Sequence, residues 1–136
     1  MNQITMNKQD FSRIRQSISQ AKKSNTIKIE EAEILLKELN SAKLLNPEEI
    51  SADLVTMNTE VEILFKNTNK SATIKIVYPQ DANIKERKIS IFSPVASALI
   101  GYKVGDEINW KLPSGETKIV ITKIIYQPEA AGNFDQ

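Results

Sequence analysis

The chain has 136 residues, 40% of them hydrophobic, the size of one domain or of one domain with an appendage. Its 18 basic residues against 17 acidic ones leave a formal net charge of +1, too little for a strong electrostatic pull on nucleic acid. It has no cysteine and no histidine, which excludes Cys or His nucleophiles and bases, disulfide frameworks and zinc sites on the usual ligands.

The N-terminal "MNQITMNKQD" is polar, without the apolar stretch of a signal peptide, and no later run approaches membrane-spanning length. A soluble, cytoplasmic protein with no membrane contact is expected. Phe11, Ile14, Ile18 and Ala21 then form one apolar stripe at helical spacing, and Ile29, Ala32, Leu36 and Leu39 form a second, flanked by Leu35 and Ala42. Between them Ser24, Asn25 and Thr26 suit a turn or an N-cap. So short a connection predicts an antiparallel helical hairpin, with the Phe11/Ile14/Ile18 stripe packed on Ala32/Leu36/Leu39. The first helix carries Arg13, Arg15, Lys22 and Lys23 and the second Glu30, Glu31, Glu33 and Glu38, a pattern that reads as edge pairing. The hairpin tip, Lys23, Asn25 and Thr26, is polar and basic. Lys22, Lys23 and Lys28 lack interleaved aromatics, so strong direct nucleic-acid binding is not expected.

Asn46-Pro47 breaks the helical period and is the candidate boundary between a helical hairpin over 1–46 and a β domain over 47–136, with few contacts expected across it. Beyond it the period becomes two. "VEILFK", "TIKIVY", "KISIF", "EINWKL" and "TKIVITKIIYQ" are β-branched and alternating, parted by Asn, Asp, Pro or Gly clusters. Asn67–Lys70 and Pro113–Glu116 read as hairpin turns. The fold class is therefore α+β: a short N-terminal hairpin and a mostly antiparallel sheet, covered by one short inserted helix.

That insertion lies in "ISIFSPVASALIGYKVGDEINW", Ile89 to Trp110. Pro94 suits the first turn of a helix with Ser93 as its N-cap, Val95, Ala98 and Leu99 share one side, and Gly101 suits a left-handed helix end. Gly105-Asp106 fits a turn into the strand bearing Trp110, which reads as a core residue. On local physics the stretch is a corner, and Asp106 is a turn residue with no partner acid or base beside it.

The same residues carry a resemblance. "ISIFSPVASALIGYKVGDEINWKLPSGE" resembles the C-terminal domain of the GreA/GreB transcript-cleavage factors, whose pattern runs I-S-I-x-S-P-x-A-x-A-L-x-G-x-x-V-G-D and then T-P-x-G. Leu112 stands where the last element has its threonine. "NPEEISADLVTMN" (Asn46–Asn58), "VYP" (Val77–Pro79) and "YQPEAAG" (Tyr126–Gly132) extend the likeness toward a regulatory branch of that family. The resemblance implies an FKBP-like β domain behind a short antiparallel coiled coil. It further implies a monomer bound to bacterial RNA polymerase at the secondary channel rim, with no cofactor, metal or catalytic residue. The rim contacts fall on Phe92, Ser93 and Pro94, and Phe92 stands where cleavage-stimulating members can place an acid, which suggests an apolar anchor.

Two enzymatic alternatives arise from the same family and fold. Cleavage factors hold a catalytic metal with an acidic pair at the coiled-coil tip, whereas here the first carboxylates, Glu30 and Glu31, come several residues past the turn. The helix from Phe11 to Asn25 is also short for that task, at about 22 Å. An FKBP-like fold raises peptidyl-prolyl isomerase activity, but fold is a poor guide to activity. Aromatics make up only 6% of the chain, scattered from Phe11 to Phe134. The four glycines are dispersed and build no phosphate-cradling loop. The expectation is a polymerase-binding regulator that is not an enzyme.

Overall fold

The computed structural model describes residues 4–23, 33, 36, 37, 39–112 and 115–132. Strand β1 (Thr5–Asn7) leads directly into helix α1 (Lys8–Lys23). Ile14, Ile18 and Ala21 are its buried apolar positions, on one face as their spacing requires, while Lys22 and Lys23 sit in the last turn where cations favour the helix dipole. Glu33, Leu36, Lys37, Leu39 and Asn40 are again helical. The chain then enters β2 (Lys43–Leu45), which pairs in parallel with β1, Thr5 opposite Lys43 and Asn7 opposite Leu45. Sequence reasoning did not anticipate this pair. Of the predicted hairpin contacts, Ile14, Ile18 and Leu39 share one buried cluster with Phe11 and Leu36 against it, whereas Ala32 lies outside the described residues.

The five expected strands are all present: β3 (Glu60–Phe65), β4 (Lys70–Val77), β5 (Lys88–Ser90), β6 (Glu107–Leu112) and β7 (Gly115–Tyr126). They form one sheet in the order β5-β4-β3-β7-β6, antiparallel except for the β4–β5 pair. The alternation sorts the two faces. Val61 and Ile63 lie opposite Ile74 and Ala72 on one side and Ile124 and Ile121 on the other, and Ile119 continues the row to Ile108. On the opposite face Glu62 meets Lys123 and Glu107 meets Lys66 and Lys118, exposed ion pairs that add solubility more than stability. The turn before β4 lies where predicted, while Pro113 and Ser114 of the second turn and the side chain of Trp110 lie outside the described residues.

The apolar face is covered partly by helix α2 (Pro94–Leu99), as expected, and of the expected positions Leu99 is buried while Val95 and Ala98 are not fully so. Ala96, Leu99 and Ile100 are fully buried, and Val95 and Ala98 only partly so. Spacings of three and four put 96, 99 and 100 on one helical face, and Ala96 allows the close approach.

The core also corrects the expectation of few contacts across Asn46-Pro47. The period does change there, and a 3-10 turn occupies Pro47–Glu49. Yet Ile4, Met6, Ile14, Ile18 and Leu39 belong to the same buried cluster as Val55, Met57, Val61, Ile63 and Ile76. A helix that buries only one stripe must lay it on something, and here the base of the N-terminal unit lies on the sheet's own core.

Candidate functional site at the corner and the arm root

The corner begins where β5 stops. Ile91 is fully buried and donates its amide to Val77 O at 2.9 Å, continuing the β4–β5 pairing by one residue. The chain then turns. Phe92 donates its amide to Ser90 Oγ at 3.1 Å, and Ser93 donates its own to Ser90 O at 2.9 Å. With Ile91 in the core, the alternation leaves Phe92 half-buried, one side against the cluster and the other toward solvent. Ser93 holds the N-cap position in extended conformation and its carbonyl accepts from Ser97 N at 3.0 Å. Its hydroxyl makes no capping bond, contrary to expectation. Pro94 is the first helical residue, where its missing amide hydrogen costs nothing; its side chain lies outside the described set.

Past the helix the corner is locked by glycine. Gly101, at φ +85°, donates to Val55 O at 3.0 Å and accepts from Thr5 N at 3.2 Å, so it is wedged between the N-terminal strand and the segment before β3. Asp106 accepts from Lys103 N at 2.8 Å with a carboxylate oxygen, as its reading as a turn residue requires. The corner is thus held by backbone hydrogen bonds on both sides of the helix, and Phe92 and Ser93, both partly exposed, stand next to each other at its start.

At the hairpin tip, the structure places Lys23 exposed in the last turn of α1. Asn25 and Thr26, together with Lys28, Glu30 and Glu31, lie outside the described residues. From Lys8 to Lys23 the helix runs about 24 Å. Among the described residues no group of three or more acids is placed to hold a metal ion. No described helix is long and apolar enough to cross a membrane.

A third feature, at the root of α1, was not read from the sequence at all. Asn7, the residue before α1, accepts from Asp10 N at 2.6 Å with its side-chain oxygen, a helix N-cap. The same amide donates to Glu129 Oε2 at 2.6 Å, across 122 residues of sequence. Glu129 Oε1 accepts from the Thr56 hydroxyl at 2.8 Å. Asp10 Oδ2 accepts from Met57 N at 3.0 Å, and Asp10 Oδ1 faces the Tyr78 hydroxyl at 3.5 Å. Asn7, Asp10, Thr56, Tyr78 and Glu129 are all buried. This polar node joins α1, the segment before β3, the end of β4 and the C-terminal segment. Beside it, Arg13, Gln16, Ser17, Gln20, Tyr78 and Gln80 line a polar cleft of about 440 Å³. The only sequence signal was Asn-x-x-Asp at a helix start, which announces a cap and says nothing of burial.

Comparison with known proteins gives matches that include the corner. The sequence model for "Transcription elongation factor, GreA/GreB, C-term" matches residues 50–126, from before β3 to the end of β7. The Escherichia coli (strain K12) protein "Regulator of nucleoside diphosphate kinase" is 38% identical over 104 residues, covering 76% of each chain. The transcription elongation factor GreA of Syntrophotalea carbinolica is 35% identical over 95 residues, 67% of this chain and 60% of its own. Among solved structures, a prokaryotic transcription elongation factor GreA/GreB from Nitrosomonas europaea superposes with a TM-score of 0.73 at 31% identity, over 93% of this chain and 100% of that one.

Proposed function

The chain belongs to the GreA/GreB family of transcription elongation factors, and we propose that within it this is a regulator that binds RNA polymerase and does no chemistry of its own. In this reading the β domain is FKBP-like, and the N-terminal unit is a short antiparallel coiled-coil arm. The protein docks as a cytoplasmic monomer at the rim of the bacterial polymerase's secondary channel, and Phe92, Ser93 and Pro94 make the contact. The observation that carries the reading is the corner itself. Ile91 takes the core position, leaving Phe92 only partly buried on a hydrogen-bonded turn beside a serine hydroxyl that the helix does not use as its cap. An aromatic side chain held this way gives up little conformational freedom on binding, which suits the centre of an interface.

The direct test is capture of purified protein on core RNA polymerase, with and without a competing GreA. Wild type is expected to bind and to be displaced. Phe92→Ala with Pro94→Ala is expected to weaken binding at least tenfold while shifting the thermal midpoint by only a few degrees, since Phe92 is only partly buried against the core cluster. Normal binding by the double variant, or loss that tracks unfolding, would leave the corner purely structural.

Absence of cleavage is a separate expectation. The arm's first helix is about 24 Å long, and the exposed end that the structure describes is cationic, with Lys22 and Lys23. A backtracked elongation complex given saturating protein should show no RNA shortening above its intrinsic rate. Dose-dependent cleavage abolished by Glu30→Ala with Glu31→Ala would overturn this.

A further inference from the structure

The polar node at the arm root holds two carboxyl groups where one negative charge is well provided for. Asn7 and the adjacent residues Thr56 and Met57 reach both of them. The Asn7 amide and the Thr56 hydroxyl donate to Glu129 at 2.6 and 2.8 Å, while Met57 N donates to Asp10 at 3.0 Å. Glu129 thus has two short donor bonds, the surroundings a carboxylate needs. Asp10 has one backbone amide and a distant phenol at 3.5 Å, and it is only 2% exposed.

We propose that Asp10 and Glu129 form a proton-controlled clasp between the arm root and the β body, closed while Asp10 holds a proton and loosened when that proton leaves to solvent. The side-chain donors of the node are gathered on Glu129. With Asp10 neutral, the node holds one anion, and the Asp10 carboxyl can itself donate toward the Tyr78 oxygen. With Asp10 ionised, two anions share a water-poor compartment, and their repulsion acts at the first turn of α1, which carries Asp10, against its contact with the Met57 amide.

The groups that face Asp10 can be taken element by element. The C-terminal segment brings Glu129, whose charge opposes ionisation. The end of β4 brings Tyr78, and α1 itself brings Arg13, whose charge favours ionisation. Residues 56–59 bring Thr56, Thr59 and the Met57 amide but no ionisable side chain. Burial outweighs the favourable contacts and pushes the Asp10 carboxyl up to about 7. Unfolded, it titrates near 3.8, so between these values the folded chain holds a proton that the unfolded chain has released. Its stabilising contribution is full below about 3.8 and is lost as the pH rises to about 7. The clasp is therefore poised near neutrality.

The chain has no cysteine, so two introduced cysteines can be spin-labelled cleanly. Ser19→Cys on α1 and Asn109→Cys on β6 are both exposed positions. Between these labels a narrow distance distribution is expected at pH 5.5, broadening or shifting by pH 8.5 with a midpoint near neutrality. Asp10→Asn, which keeps the shape and the acceptor for Met57 N, should hold the narrow distribution at both pH values. Identical wild-type distributions at the two pH values would overturn the proposal, and so would a pH response that survives Asp10→Asn. Independently of any variant, the Asp10 carboxyl 13C resonance should titrate near neutrality. Titration in the range of a free aspartate would overturn the proposal without the labels.

Discussion

Ile18→Asp is expected to destabilise the chain by roughly 3–5 kcal/mol and to melt helix and sheet together. Ile18 is 1% exposed, on the face of α1 that joins the cluster of Val55, Met57, Val61 and Ile63. A carboxylate placed there has no partner, and water can reach it only by prising α1 from the sheet. From sequence alone, damage confined to residues 1–46 would be expected, because the period changes at Asn46-Pro47. The continuous core replaces that expectation with a cooperative one. Two probes separate the outcomes: far-ultraviolet circular dichroism follows the helices, and the fluorescence of Trp110, the single tryptophan, follows β6. Coincident transitions in wild type and variant would establish one unit. A variant whose helical signal vanishes while the Trp110 transition stays at its wild-type midpoint would restore the two-domain picture.

Gly101→Ala is expected to cost about 2–4 kcal/mol, far more than an added methyl group on a surface turn. Two causes add. The backbone there has φ +85°, which an L side chain rarely adopts, and a Cβ would stand 2.6 Å from Ile4 Cβ and 3.2 Å from Thr5 O. Ile4 is a branched core residue just before β1, its carbonyl held by Lys43 N at 2.8 Å, so either that segment or the corner must shift. Gly105→Ala is the control, since φ is +92° there but nothing lies within 4 Å of the added carbon. That variant should lose only the backbone part, about 1–2 kcal/mol. Denaturant midpoints of the two variants measure the difference. Equal losses would mean that Ile4 yields and that the close approach matters little.

How much was legible in the sequence depended on whether a feature announces itself locally. The sheet did, because a β-branched residue at every second position over six or more residues, as in Gly115–Tyr126, has few other solutions. The short helix did too, through Ser-Pro at one end and glycine at the other. Its buried face was read correctly at Leu99 but not at Val95 and Ala98, since a stretch as apolar as Val95–Ile100 offers two stripes and only the sheet chooses between them. The β1–β2 pair was invisible because three residues carry no period. Asp10 and Glu129 were invisible for a deeper reason. A buried carboxyl looks like any surface acid until the chain brings it a partner, and here the partners are 47 to 122 residues away. The corner lay between these cases. Its motif located Phe92, Ser93 and Pro94 at once, yet only the turn geometry showed that Ile91 is the core residue and Phe92 the one left partly uncovered.

Parallel strands cannot be joined by a tight turn, and the long crossover that β1 and β2 require is the segment between Asn7 and Lys43, which begins with α1. Both ends of that segment are therefore anchored side by side, with Lys43 N donating to Ile4 O at 2.8 Å, and its buried stripe at Ile14, Ile18 and Leu39 rests on the body while Lys22 and Lys23 stand exposed. Lengthening the crossover by whole helical turns would change its reach by about 5.4 Å per turn and leave the register of every strand as it is. A flexible insertion past Lys23 would add little closure entropy, since that cost grows only with the logarithm of loop length, roughly 0.6 kcal/mol per doubling. A scaffold with this topology can exchange one projection for another of different length or chemistry without refolding its frame, and variation in reach is open to it at almost no thermodynamic expense.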